Sequence, residues 1–238
     1  MGTFMHPYTI PVEVKDRVIR RQGKLPSHDT IDTAHTALIV VDMQNYFVAE
    51  GFPLEVATAR SIVPNINRLA RAVRAAGGTV VWVQTTAKGA LESWGNHHKY
   101  MLTPERAKTR LAHLDESADG FALYPKLEPL SIDLRVKKLK FSAFISGSSD
   151  IDAELKSRGI ESLLIAGTLT NVCCESTARD AMQMNYKVIF IADGNAALTD
   201  AEHNATLNNM VTLFADVMTT EEVVGFLDKA GAMRRAAE

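Results

Sequence analysis

Short apolar runs alternate along the chain with segments of helical periodicity, and this alternation is the feature that most restricts the possible folds. Between the first two runs, apolar residues recur at helical spacing from Ile62 to Val73, and a glycine pair follows. Strands that alternate with helices predict an α/β fold with a doubly wound, Rossmann-like parallel sheet covered by helices on both faces. The predicted strands are residues 37–41, 79–84, 134–139, 161–166, 186–191 and 217–218.

The first 33 residues lack this pattern. They show no clear hydrophobic period and carry three prolines, Pro7, Pro11 and Pro26, with several arginines and lysines. We predict an N-terminal arm over residues 1–33 that lies against the domain or a neighbouring subunit. The remainder, residues 34–238, is predicted to form a single domain with a sizeable core.

Charge and apolar run length restrict the partners. The formal net charge of −2 gives no reason to expect a nucleic acid or an anionic membrane surface. The longest apolar stretches have about five residues, whereas a membrane-spanning helix needs roughly 20. Cys173 and Cys174 are the two cysteines, and neighbouring cysteines rarely form a disulfide. We therefore expect a cytoplasmic protein whose partner is a small molecule.

Polar residues at the ends of predicted strands are the candidate functional residues, because ligands of open parallel sheets bind beyond the carboxyl ends of the strands. Asp42 follows the first strand, although an aspartate there also suits a turn or a helix cap. Tyr46, Phe47 and Trp94 fit a core position as well as a pocket wall. The candidate substrate-binding residues are Gln44, Phe47, Gln84, Trp94 and Phe144.

The long connection over residues 85–131 has no clear period. A connection of this length in a compact domain is usually functional, and often a lid. It contains His97 and His98, but adjacent histidines rarely coordinate one ion, and we predict no metal and no cofactor.

Cys173 is the candidate nucleophile. It stands at a strand-to-helix turn, where free helix N–H groups favour a thiolate. An unperturbed thiol, with a pKa of about 8.5, is mostly protonated at neutral pH, so a cysteine enzyme needs a local field or an adjacent base.

Three motifs in order carry a family resemblance. They are Val-Val-Asp-Met-Gln-Asn-Tyr-Phe at 40–47, Lys-Leu-Lys-Phe-Ser-Ala-Phe at 138–144, and Gly-Thr-Leu-Thr-Asn-Val-Cys-Cys-Glu-Ser-Thr-Ala-Arg-Asp-Ala at 167–181. With these motifs the chain resembles the isochorismatase-like cysteine hydrolases, a group that includes nicotinamidases, carbamoylsarcosine amidohydrolases and ureidoacrylate amidohydrolases. The resemblance implies a six-stranded parallel sheet and a homodimer or homotetramer.

The resemblance also implies roles for individual residues. Cys173 would be the nucleophile, Asp42 its base, and Lys138 the cation that stabilises the thiolate. A cis peptide bond would join Thr168 to Leu169, and the amides of Leu169 and Cys173 would form the oxyanion hole. We expect the ion pair to hold Asp42 and Cys173 in their charged forms.

The implied reaction is hydrolysis of a C–N bond in a small amide, ureido or carbamoyl compound through a thioester. Two alternatives stay open. One is vinyl-ether hydrolysis of the isochorismatase type, which does not need the cysteine, and the other is a catalytically silent member that acts as a binding or scaffold protein.

Overall fold

The computed structural model describes residues 6–28 and 30–237, with side chains through residue 229. Its centre is a sheet of six parallel strands in the order β3-β2-β1-β4-β5-β6. The strands are β1 (Thr36–Val41), β2 (Thr79–Thr85), β3 (Leu134–Lys138), β4 (Ser162–Thr168), β5 (Lys187–Ala196) and β6 (Asp216–Met218). The predicted doubly wound sheet is confirmed.

Helices cover both faces of the sheet. They are α1 (Val12–Gln22), α2 (Asn45–Val48), α3 (Val63–Ala75), α4 (Ala90–Tyr100), α5 (Pro104–His113), α6 (Ile151–Ser157), α7 (Glu175–Gln183), α8 (Asp200–Asn209) and α9 (Thr220–Ala237). In the described part of the chain, no helix combines the length and apolar character needed to cross a bilayer.

The alternation of side chains along β1 divides the core into two layers. Leu38 and Val40 belong to the layer that contains the apolar faces of α3 and α9. Ile39 and Val41 belong to the layer that contains α6 and α7. Because successive strand residues point to opposite faces, a strand buried on both sides is apolar along almost its whole length, as β1 is from Ala37 to Val41.

The strand order reverses direction between β1 and β4. From β1 the chain proceeds outward through β2 and β3, and then returns to place β4 on the other side of β1. Such a reversal leaves a crevice at the carboxyl ends of the two central strands, which is where open α/β sheets bind ligands.

β5 is longer than predicted. The Asp193-Gly194 pair is typical of a turn and suggested a strand end after residue 191, but the strand continues to Ala196. The register against β4 shifts between Ile165 and Gly167. Asn195 spans the irregularity, because its Nδ2 donates to the carbonyl oxygens of Ile165 (2.9 Å) and Ile191 (2.7 Å).

Two segments without a predicted period contain helices. In the N-terminal segment, α1 places Val14 and Val18 against Val211. Farther along, the amides of Ser27 and His28 donate to the Asp216 carboxylate at 2.6 and 2.8 Å. The segment therefore lies against the β6 edge, while the division into an arm over 1–33 and a domain over 34–238 stays a prediction. The connection over 85–131 contains α4 and α5.

Candidate active site

Asp42 leaves the end of β1 in a left-handed conformation, with φ of 52°. Aspartate tolerates this region better than most residues, although it still costs about 1–2 kcal/mol. Its amide donates to the Val83 carbonyl at 2.9 Å, so the neighbouring strand fixes the turn. The carboxylate is fully buried, which makes a cationic partner necessary.

Lys138 supplies that partner. It is the last residue of β3, fully buried, with Nζ 2.8 Å from Oδ2 of Asp42. Burial is the largest single effect and lowers the pKa of Lys138, but the charges of Asp42 and Cys173 and the hydrogen bond to Asp42 together outweigh it, and the net pKa is raised. Lys138 is therefore an ammonium at neutral pH.

Thr85 joins the two charges. Its hydroxyl donates to Oδ1 of Asp42 (2.9 Å) and accepts from Nζ of Lys138 (2.7 Å). Thr85 pairs with Lys138 in the β2–β3 register, so the sheet itself sets this contact. Oδ2 faces the Lys138 ammonium, and among the described residues it has no other partner, so it keeps acceptor capacity for a further proton.

The end of β4 brings the cysteine to the same edge. A Cβ on Gly167 would lie 2.1 Å from the Val41 carbonyl oxygen, so glycine is required where β4 passes β1. The predicted cis peptide between Thr168 and Leu169 is present. One turn of π-helix, Thr170–Cys174, then leads into α7.

Burial controls the protonation of Cys173. The side chain is buried, and desolvation raises its pKa to about 12, although the Lys138 ammonium acts in the opposite direction and Asp42 reinforces the rise. The expectation of a resting thiolate is therefore wrong, because desolvation outweighs the single cation. Since the charges of Asp42 and Lys138 both act on the thiol, the structure brings Asp42, Lys138 and Cys173 into one cluster.

The neighbouring lysines and the second cysteine lie outside the cluster. Lys137 is exposed and pairs with Glu116 at 2.5 Å, and Nζ of Lys140 donates to the Ser146 carbonyl at 2.8 Å. Cys174 is completely buried in the core layer of α6 and α7.

A cavity of about 560 Å³ lies beside the cluster. Leu169 and Val172, which lie four residues and one residue before Cys173 in the chain, form one side of it, and α5 forms another. This volume suits a small molecule. A second cavity of about 620 Å³ lies between the N-terminal segment and α9, away from the residues that adjoin Cys173.

The predicted substrate-binding residues do not line this cavity. Gln44 clamps Thr85, since its Oε1 accepts from the Thr85 amide (2.7 Å) and its Nε2 donates to the Thr85 carbonyl (3.0 Å). Gln84 donates to the Phe121 carbonyl at 2.9 Å. Phe47 and Phe144 are core residues on opposite faces of the sheet.

Trp94 contacts the cavity wall without lining it. Its ring stacks on His97 with centroids 4.1 Å apart, and meets Phe141 edge-on at 4.7 Å. His97 and Phe141 do line the cavity. Burial, with smaller contributions from the nearby charges of Arg110 and His98, lowers the pKa of His97 to about 4, so its ring is neutral at physiological pH.

Sequence reasoning missed two residues of the site, Thr85 and Arg110. Thr85 directly follows the selected Gln84, and one further step along the strand would have found it. Arg110 lines the cavity together with Tyr46, which the sequence left open between the core and a pocket wall. Arg110 lies on α5, in a segment that has many charged residues, so no sequence signal separates it from an exposed arginine. Within the described residues, no group of three or more histidine, cysteine or acidic side chains is placed to hold a metal.

The isochorismatase domain family model matches residues 36–222, a span that contains all three clustered residues. The chain belongs to the isochorismatase family. A relative from Agrobacterium fabrum named ureidoacrylate amidohydrolase RutB is 32% identical over 219 residues, which cover 86% of this chain and 95% of the relative. The protein of the same name from Methylobacterium radiotolerans is 33% identical and covers 95% of each chain.

Solved structures of the isochorismatase family share the architecture. A cysteine hydrolase from Pseudomonas syringae pv. phaseolicola superposes with a TM-score of 0.74 at 29% identity, covering 85% of this chain and 97% of that one. Together with the named relatives, this similarity identifies the chain as an amidohydrolase of the isochorismatase family, a hydrolase of C–N bonds other than peptide bonds.

Proposed function

We propose that this amidohydrolase uses Cys173 as its nucleophile and cleaves a C–N bond of a small ureido or carbamoyl compound through a thioester. The observation that carries the proposal is the buried cluster of Asp42, Lys138 and the Cys173 thiol, beside a cavity of suitable size that Leu169 and Val172 help to line. A buried acid and ammonium beside a thiol have no need to be there for packing, since apolar residues of similar volume would be at least as stable.

In the proposed first step, Cys173 loses its proton to Asp42 as its sulfur attacks the substrate carbonyl carbon. The thiol with a pKa of about 12 is not a resting anion, so proton transfer must accompany binding and attack. Lys138 keeps a positive charge beside the sulfur throughout. Asp42 is the group with free acceptor capacity, at Oδ2.

In the following steps, the carbonyl oxygen acquires negative charge and accepts hydrogen bonds from the amides of Leu169 and Cys173. Each such donor is worth about 2.7–4 kcal/mol of the barrier in other enzymes. The C–N bond then breaks, and the amine or ammonia leaves with the proton from Asp42. Water attacks the thioester with Asp42 again acting as base, which regenerates the thiol.

The names of the relatives support a ureido substrate, because two proteins at 32% and 33% identity are called ureidoacrylate amidohydrolases. Vinyl-ether hydrolysis requires no thiol, so the assembled Cys173 cluster favours the amide reaction over it. A catalytically silent scaffold protein would not require a cavity beside this cluster. A cytoplasmic location and a dimeric or tetrameric assembly stay predictions.

Ammonia release from a panel of ureido, carbamoyl and simple amide compounds, together with pyruvate release from isochorismate, tests the proposal. We expect turnover of at least one ureido or carbamoyl member, with simple amides slower, and no hydrolysis of the vinyl ether isochorismate. Turnover of isochorismate alone would establish the vinyl-ether alternative. Absence of turnover across the whole panel would favour the silent member.

A further inference from the structure

Helix α5 directs a cationic face towards the cavity. Thr103 caps the helix by accepting from the Arg106 amide at 3.2 Å, and Pro104 occupies its first turn. Arg106, Thr109 and Arg110, spaced three and four residues apart, all line the cavity. This spacing places them on one side of the helix.

Arg110 differs from Arg106 in burial. Arg106 is exposed, whereas Arg110 is 9% exposed. None of the carboxylates that the structure describes forms an ion pair with Arg110. Arg74, another largely buried arginine, does have a carboxylate partner. Its Nε and one terminal nitrogen donate to Asp133 at 2.9 and 2.7 Å. A guanidinium that is nine-tenths buried without a counter-ion is costly, so its position calls for an anion that this chain does not provide.

The groups around Arg110 do not neutralise it. Tyr46 shares a hydrogen bond with the guanidinium, and burial keeps this phenol protonated by raising its pKa. His97 is neutral at physiological pH, as described above. Glu105 also lines the cavity, but it is exposed and forms no ion pair with Arg110 among the contacts described. Asp42, the buried carboxylate of the cluster, is engaged by Lys138.

The cavity lies between Arg110 and the residues next to Cys173, so a bound substrate can present one group to the thiol and another to the guanidinium. Arg110 and Val172 line the same cavity, and Val172 directly precedes Cys173 in the chain. A molecule whose carbonyl carbon reaches the thiol therefore extends its other end towards α5. The planar guanidinium fork binds a carboxylate through two parallel hydrogen bonds, which a lysine cannot reproduce.

We propose that Arg110 binds a carboxylate of the substrate and thereby selects ureido or carbamoyl acids over neutral amides. This inference rests on the proposed function, because it takes Cys173 as the attacking group. Arg110 is then a specificity-determining residue, and the cavity is an acid-binding site whose cation is fixed on α5.

Arg110 has a second effect that must be separated from the first. Its charge acts on Cys173, where it slightly opposes the rise in the thiol pKa. An arginine that served the thiol alone would affect all substrates equally. One that binds a substrate carboxylate affects acids and spares their neutral counterparts.

A matched pair of compounds distinguishes the two effects. N-carbamoyl-β-alanine carries a carboxylate, and 3-ureidopropionamide differs by having a neutral carboxamide in its place. We expect Arg110→Gln to lower kcat/KM for the acid by about 10- to 100-fold, the value of a charge-assisted hydrogen bond. The amide should change by less than about threefold. An equal loss on both compounds would overturn the assignment.

Binding to a Cys173→Ala background keeps the inference separate from the proposed chemistry. By isothermal titration calorimetry, we expect the acid to bind about tenfold or more tightly than the amide, and Arg110→Gln to abolish that preference. Failure of the acid to bind preferentially, or a preference that survives Arg110→Gln, would refute the role of Arg110 whatever the wild-type enzyme hydrolyses. If the binding preference is present and turnover is absent, the proposed chemistry fails while the acid site stands.

Two control variants complete the design. Arg106→Gln removes a charge at the exposed rim of the same cavity and should change the acid preference by less than about threefold. Arg110→Lys keeps the charge but loses the fork, so it should retain part of the preference while folding as the wild type does. A full loss in Arg106→Gln together with no change in Arg110→Gln would assign the carboxylate to Arg106 instead.

Discussion

The strand ends and the helical connection form opposite sides of the same site, and they are held in different ways. Asp42, Thr85 and Lys138 are fixed by the sheet, because main-chain pairing places each of them at the carboxyl edge. The residues of α4 and α5 are fixed by side chains, such as the stack of Trp94 on His97. The chemistry thus rests on the shared backbone of the fold, whereas the cavity wall depends on side chains that can vary without disturbing the sheet.

Of the substitutions that compare the two regions, Lys138→Met at the sheet edge is expected to lower activity the most. Lys138→Met removes the cation beside Asp42 and the thiol, and we expect kcat/KM for the best panel substrate to fall at least about 10³-fold. Lys137→Met is the matched control on the adjacent, exposed residue. Its ion pair with Glu116 lies at the surface, so its effect should stay within about threefold.

Unfolding must be separated from loss of chemistry in this variant. Removal of one partner from a buried ion pair costs about 3–5 kcal/mol of stability. The double variant Asp42→Asn/Lys138→Met leaves no unpaired charge and should melt closer to the wild type by circular dichroism, still without activity. Wild-type turnover in either folded variant would contradict the claim that the sheet edge carries the chemistry and the cavity wall does not.

A smaller effect is expected at Trp94, on the other side of the comparison. Trp94→Ala removes the ring that supports His97 and Phe141, so the cavity wall loses its backing. We expect KM to rise about three- to tenfold through looser substrate packing, with kcat within about twofold. Steady-state kinetics on the best panel substrate measure both. A fall in kcat comparable with that of Lys138→Met would show that the wall takes part in the chemistry.

The same contrast explains what the sequence predicts. The sheet was predictable because short apolar runs such as 37–41 and 162–166, which are buried on both faces, alternate with helical segments. The cluster residues were identified through motifs that lie at strand ends. By contrast, residues 85–131 contain helices whose exposed faces carry many charges, and the burial of Arg110 arises from tertiary packing.

Two other differences have a physical cause in packing. Gln44 stands where a ligand is expected, but its amide is used in hydrogen bonds to the Thr85 backbone and the Phe121 carbonyl. The protonation of Cys173 depends on how completely the fold removes water from the thiol, which local sequence does not report. Residue type indicates the chemistry that is possible, and packing decides which side chains are available for it.

Comparison of Cys173→Ala with Cys174→Ala tests the central claim most directly. The two changes are identical and adjacent, both in the buried turn before α7, so differences between them report on chemistry rather than on packing. For the best panel substrate, we expect Cys173→Ala to lower kcat/KM by at least about 10⁴-fold while the protein stays folded. Cys174→Ala should retain activity within about tenfold. Retained turnover in a folded Cys173→Ala protein, or loss confined to Cys174→Ala, would contradict the assignment of Cys173 as the nucleophile.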